Sequence, residues 1–237
     1  MYTLWVKGVP VRASDRAYAT LLEEIQSGVL APGAVIGEVE QSSRLGVSRT
    51  PMREAISRLV ADGLVRQQSP RVLVVTGFDV ADIRRLFEAR RSFEETAAKL
   101  AAARGDRAQF AKLATDFDDA HPERGVLAAD EYYSLIERFD TAVDETVDNV
   151  YLVQALRNTR RHLARARRLA RDNQGRLTAS VAEHALIARA IADGDAELAA
   201  HATHVHLHHA LASILASIAG DDGAETSKAN RTAKGLQ

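Results

Sequence analysis

The sequence predicts a mainly α-helical protein in which a small N-terminal domain with one β-hairpin precedes an all-α helical bundle. Two β-prone stretches, 64–67 and 72–76, flank a Ser-Pro-Arg turn and indicate the hairpin. After residue 78 apolar residues recur at steps of three and four, and no strand pattern is found. No run of about 18 apolar residues occurs, so no membrane span is expected.

Composition limits the classes of protein that fit. The chain has 237 residues, 46% of them hydrophobic, which is enough for one or two domains with buried cores. The absence of cysteine excludes disulfides, thiolate metal sites and cysteine nucleophiles, and agrees with a cytoplasmic protein. Residues 1–77 carry 9 Arg/Lys against 7 Asp/Glu, whereas residues 78–220 carry 19 against 22. Any DNA affinity therefore comes from a small local positive face, doubled in a dimer, rather than from overall charge.

Three short helices are predicted in the first domain. Ser14 can cap a helix from about Asp15 to Ser27, which Gly28 ends. A Pro-Gly turn leads to a second helix over 38–45, and Gly46 suits the tight turn that follows. A third helix starts at about Arg49, with Ser48 as its cap and Asp62-Gly63 as its stop.

The exposed start of the third helix carries the candidate DNA contacts. Its outer face presents Arg49, Thr50 and Arg53 together with the capping Ser48, at the positive end of the helix dipole. Arg71 lies at the hairpin tip, where it can approach a minor groove or a phosphate. The full predicted DNA-contacting set is Arg44, Ser48, Arg49, Thr50, Arg53 and Arg71.

The segment 21–77 resembles the winged helix-turn-helix of GntR-family bacterial transcription regulators. The resemblance rests on "IQSGVLAPGAVI", "LGVSRTPMREAISRL" and "ADGLV" in that order. It implies that the chain binds double-stranded operator DNA. Two positions depart from the family pattern: Val72 follows the tip arginine where glycine is usual, and Val39 stands where an arginine is common. Both departures bear on which operator sequence is bound.

The second half is predicted to be a bundle of about six helices. Domain limits are placed at 1–77 for the winged helix-turn-helix, 78–220 for the bundle and 221–237 for a polar tail expected to be disordered. The predicted helices are 80–104, 106–120, 128–147, 149–171, 178–193 and 195–218, with breaks at HPERG, Asp148-Asn149, DNQG and DG.

Two arginines of the bundle are candidate ligand contacts. Arg90 lies on the apolar ladder of the first bundle helix, so it either forms an internal ion pair or awaits an anionic ligand. Arg160 belongs to seven arginines between Arg157 and Arg171 that surround most of one helix. Most of these are expected to be solvated or ion-paired, with one such as Arg160 reaching an interior ligand.

The stretches "DVADIRRLFEARRSFEETAAKLAAA" and "EHALIARAIADGDAELAAHATHVHL" resemble the all-helical FCD effector domain of the FadR-type subfamily, in its metal-binding branch. The resemblance implies a small-molecule effector and a divalent metal such as Zn, Ni or Mn. Two of the four ligands carry over, onto His184 and His206. The other two do not, because Ile136 stands where the aspartate belongs and Asp140 where the histidine belongs.

Periodicity supports an interior site independently, since Asp140 and His184 each interrupt an apolar helix face. Asp140, His184 and His206 could hold a metal with open positions, or form an internal Asp–His hydrogen bond without one.

Together these features predict a homodimeric, ligand-responsive transcription regulator, acting as a repressor on a palindromic operator and sensing a small, carboxylate-bearing metabolite. The alternative is a metal-dependent helical enzyme with an accessory nucleic-acid domain. No recognisable acid/base or nucleophile set supports that alternative.

Overall fold

A computed structural model describes residues 12–120, 129–169 and 174–234. Its elements are α1 (Ala13–Ser27), α2 (Glu38–Leu45), α3 (Arg49–Ala61), β1 (Val65–Ser69), β2 (Val72–Val75), α4 (Val80–Arg104), α5 (Arg107–Asp119), α6 (Ala129–Val147), α7 (Val150–Leu169), α8 (Gln174–Asp193) and α9 (Ala196–Lys234). The N-terminal segment 1–11, the HPERG break and Arg171 lie outside the described residues. The mainly α fold class is confirmed.

The chain divides into two compact units between Asp79 and Val80, two residues after the predicted boundary. In the first unit, α1 and α3 pack together over a core that includes Leu21, Met52 and Leu59, each fully buried. The apolar positions of both helices recur at helical spacing, so one face of each is buried.

The hairpin completes the first unit. β1 and β2 pair antiparallel, with Val65 opposite Val75, and the register shifts between Gln67 and Ser69. Val35 forms one further antiparallel bridge, to Val74. The sequence therefore predicted the hairpin correctly, with strand limits shifted by a residue or two.

The helix ends follow the predicted glycines, whereas the serine caps differ. Gly28 and Gly46 both adopt positive φ, of 81° and 63°, and end α1 and α2. Ser14 lies buried in the first turn of α1, because the helix begins at Ala13 with Arg12 as its N-cap. Ser48 is the N-cap of α3 as expected, but its side chain makes no capping hydrogen bond.

The second unit is a bundle in which α4 packs against α6, α7, α8 and α9. Its core is rich in alanine, which allows helices to approach closely, and its largest fully buried rings are Phe110 and Phe117. On α4, Phe87 is buried, and Arg90 lies in the buried face as predicted.

The last helix is longer than expected. α9 continues to Lys234, whereas the sequence predicts a disordered tail over 221–237. Disorder was expected because this segment lacks an apolar stripe. It also lacks proline, the residue that most strongly stops a helix, so α9 can continue through it.

Among the described residues, no helix is both long and apolar enough to cross a membrane.

Candidate functional site

The exposed start of α3 presents a polar surface to solvent. Ser48, Arg49, Thr50 and Arg53 are all exposed, next to the backbone N–H groups that have no partner within the helix. Arg49 makes no ion pair with the part of the chain that the structure describes. This surface can accept a phosphate or a base edge without rearrangement of the core.

Unlike Arg49, Arg53 forms an ion pair with a neighbouring helix. Its Nη2 lies 3.0 Å from Oε2 of Glu38 on α2, and its Nε lies 3.2 Å from both carboxylate oxygens. The hydrogen bonds that Arg53 donates to Glu38 raise the pKa of Arg53. Because the arginine side chain remains 67% exposed, this pair can be exchanged for a DNA phosphate.

Arg44 holds two helices together. Its guanidinium forms a bidentate pair with Glu24 of α1, with both N–O distances 2.6 Å, and also donates to Gln41. This pairing joins α2 to α1, so the geometry favours a structural role. A DNA contact by Arg44 stays a prediction.

The hairpin tip keeps Arg71 exposed between β1 and β2. The register shift before the turn adds local twist to the hairpin. Its contact with DNA also stays a prediction.

The bundle contains a pocket that is partly open to solvent and is lined by all five of the predicted interior residues. Its predicted members are Arg90, Asp140, Arg160, His184 and His206. They come from five different helices, α4, α6, α7, α8 and α9, and face one space. Convergence of polar groups from several elements on a partly apolar cavity is typical of a ligand site.

Arg90 forms the internal ion pair that was one of its two predicted alternatives. Its Nε lies 2.7 Å from Oε1 of Glu94, one turn along α4, and its side chain is 3% exposed. Burial lowers the pKa of Arg90, while the charge of Glu94 acts against this. Among the described residues, the remaining Nη1 is buried and has no hydrogen-bond partner, so the guanidinium keeps unused capacity for an anion.

Arg160 reaches the cavity from α7 and pairs with two carboxylates of α6. Its Nη2 lies 3.2 Å from Asp140, and its Nη1 lies 2.7 Å from Asp144. Arg157 contacts the same Asp144 at 2.9 Å. Asp140, a predicted metal ligand, is therefore held by a guanidinium.

The two imidazoles are fixed in orientation. Nδ1 of His184 donates to the backbone oxygen of Ser180 at 2.7 Å, and Nδ1 of His206 donates to Glu183 at 2.7 Å. The rings meet edge to face with centroids 4.3 Å apart. Burial lowers the pKa of both histidines, well below the ordinary value for His184, so both rings are neutral near pH 7. Nε2 is then the ring nitrogen left for the cavity.

Sequence reasoning missed Glu183 and Arg167. Glu183 receives hydrogen bonds from His206, from His209 at 2.7 Å and from Arg176 at 2.7 and 2.8 Å. Burial opposes its charge, but these donors outweigh burial and lower the pKa of Glu183. Its position directly before His184 was the available signal. Arg167 lines the cavity and was hidden among seven arginines.

Metal binding by Asp140, His184 and His206 stays a prediction. Within the described ranges, no three His, Cys, Asp or Glu side chains are placed to hold an ion together. Asp140 pairs with Arg160, and three guanidiniums line the same cavity, which disfavours a further cation. The imidazoles bond to Ser180 and Glu183, so the alternative of an internal Asp–His bond is not what the structure contains either.

Each of the two units matches a known protein family. The description "Bacterial regulatory proteins, gntR family" matches residues 13–74, and "FCD domain" matches residues 85–209, more than half of the chain. A Streptomyces ambofaciens protein, an uncharacterized HTH-type transcriptional regulator, is 30% identical over 191 residues, which is 80% of each chain.

A second relative aligns with a shorter part of the chain. An uncharacterized HTH-type transcriptional regulator of Agrobacterium vitis is 37% identical over 82 residues, 35% of this chain, and the match spans only 48% of that relative's length. Among solved structures, E. coli McbR/YncC has a TM-score of 0.71 and 18% identity, covering 88% of this chain and 100% of that one. This last likeness concerns the fold alone.

Proposed function

The chain belongs to the gntR family of bacterial regulatory proteins, in the group that carries an FCD domain, and we propose that a small organic anion in the bundle cavity controls its binding to an inverted-repeat operator. It is a transcriptional regulator with a DNA-binding winged helix-turn-helix and an effector domain. The matched families are regulators rather than enzymes, which removes the metal-dependent enzyme as an alternative.

The observation that carries the anionic effector is the charge of the cavity. Arg90 pairs with Glu94, and Arg160 pairs with Asp140 and Asp144, whereas Arg167 makes no ion pair with the residues that the structure describes. Both imidazoles are neutral, so the Arg167 guanidinium is left to face an anion. Arg90 adds a buried donor, Nη1, that no group in residues 12–120, 129–169 and 174–234 satisfies. A carboxylate in this space would gain charge-assisted hydrogen bonds and would satisfy that donor.

The exposed start of α3 supports the DNA-binding part of the proposal. One winged unit offers few positive groups, so specific binding requires two units acting together as a homodimer. Such a dimer reads two half-sites in inverted orientation. A dimer bound within a promoter excludes RNA polymerase, and we therefore propose repression that the anion relieves.

Selection from a random DNA pool tests this proposal directly. The full chain should enrich an inverted repeat, and sedimentation of the protein with the selected DNA should show two chains on each duplex. An Arg49→Ala variant should lose enrichment, whereas Arg84→Ala, an exposed arginine on α4, should retain it. Enrichment of a single half-site by a monomer would contradict the dimeric part, and no enrichment would contradict the proposal as a whole.

A further inference from the structure

A second lobe, also partly open to solvent, adjoins the cavity described above. The two lobes share five lining residues, Arg90, Leu163, Arg167, His184 and His206. The arginines therefore lie at a junction between two spaces rather than at the end of one.

The second lobe has apolar side chains in its walls, beside the shared arginines and together with Arg176 and Ser180. The apolar surface comes from Tyr133, Ile136, Leu177 and Ile214. The resemblance to the metal-binding branch implies an aspartate at the position of Ile136. The Tyr133 ring lies 5.9 Å from the Arg167 guanidinium, so an aromatic face and a positive charge are neighbours at the junction. This surface suits the carbon body of a ligand better than a hydrated ion.

Two buried polar atoms without hydrogen-bond partners belong to residues that line this lobe. They are Nη1 of Arg90 and Oγ of Ser213, in the part of the chain that the structure describes. Unsatisfied buried polar groups are rare because each forfeits its hydrogen bonds to water. Both atoms gain a partner if a ligand brings an anionic group to Arg90 and a hydrogen-bonding group to Ser213.

We propose that the second lobe is a subsite for the apolar body of an aromatic carboxylate. The carboxylate pairs with Arg90 and Arg167 at the junction, and a polar substituent on the ring bonds to Ser213. This assignment rests on the proposed anionic effector and specifies its chemical class.

Three probes separate the parts of the assignment, measured by calorimetry on the full chain without DNA. Acetate supplies the carboxylate alone, phenylacetate adds the apolar ring, and 4-hydroxyphenylacetate adds a polar substituent. Phenylacetate should bind at least about tenfold more tightly than acetate, because the ring leaves water. The hydroxyl should add about threefold, and Ser213→Ala should remove that gain.

A matched pair of variants tests the location. Ala210 lines the second lobe, whereas Ala212, two residues later on α9, is exposed. Ala210→Trp should remove the preference for phenylacetate and leave acetate binding intact, which also shows that the variant is folded. Ala212→Trp should change neither affinity.

Equal affinity of the wild type for acetate and phenylacetate would overturn the assignment, as would a preference that survives Ala210→Trp. Failure of all three probes to bind would also overturn it. Operator selection uses none of these probes, so the proposed DNA-binding function stands or fails separately.

Discussion

Substitutions at Glu94 and Arg90 test whether this buried ion pair serves ligand binding rather than the stability of the fold. Glu94→Gln removes the charge that faces Arg90 at 2.7 Å and leaves a guanidinium whose side chain is only 3% exposed. Breaking a fully buried pair costs about 3–5 kcal/mol. Glu94 is itself 18% exposed and Asp140 also acts on Arg90, so we expect a loss near the lower end, about 3 kcal/mol.

The double variant Arg90→Met, Glu94→Leu should behave differently. Replacing both members of a buried pair by apolar groups of similar shape is often neutral, so its free energy of unfolding should lie within about 1 kcal/mol of the wild type. It should nevertheless lose binding of carboxylates, because the buried donor at Nη1 is gone. Stability and ligand binding would then be separated in one protein.

Urea denaturation followed by circular dichroism measures these differences. Lys112→Met is a matched control, because Lys112 and Asp116 pair at the same helical spacing with a lysine side chain that is 72% exposed. It should cost less than about 1 kcal/mol. A loss below about 1 kcal/mol in Glu94→Gln, or a double variant as unstable as the single one, would refute the reasoning.

Three other predictions follow from the described contacts. Arg53→Ala should weaken operator binding about 5- to 150-fold at fixed salt, measured by fluorescence anisotropy. Glu38→Gln should strengthen operator binding, because it releases Arg53 from its ion pair. Equal operator affinities of the wild type and both variants would contradict this prediction. Burial lowers the pKa of His184 and His206, so below pH 6.5 the unfolded chain binds more protons than the folded chain does. The free energy of unfolding should therefore fall between pH 6.5 and pH 5, by at most about 2 kcal/mol for each histidine. Urea midpoints across that range test it, and a stability that rises on acidification would contradict it. Dialysis against a chelator should leave carboxylate binding unchanged in calorimetry, because guanidiniums supply the charge of the cavity; loss of binding that added zinc restores would show that a metal is required.

The first unit was largely predictable because local signals define it. Glycines at helix ends, a proline in the first turn of α3 and alternating apolar residues around a Ser-Pro-Arg turn each act over a few residues. The bounds of α2 agree with the prediction, and α3 begins at Arg49 as expected. Local signals do not predict the ion pair of Arg44, because its partner Glu24 lies 20 residues away on another helix.

The cavity was only partly predictable. Arg90, Asp140 and His184 could be identified because each interrupts an apolar face, and periodicity reports which way a side chain points. Periodicity does not report partners across helices. The pairing of Asp140 with Arg160 and of His206 with Glu183 depends on how four helices pack, which the sequence does not report.

The central claim is that occupancy of the bundle cavity controls DNA binding. Fluorescence anisotropy gives the dissociation constant for the selected operator, with and without a carboxylate that calorimetry shows to be bound. The measurement is made on the wild type and on the double variant at Arg90 and Glu94. The wild type should lose operator affinity about tenfold or more on saturation, and the stable double variant should show no change. An operator affinity that is the same in the free and saturated wild type would contradict the claim.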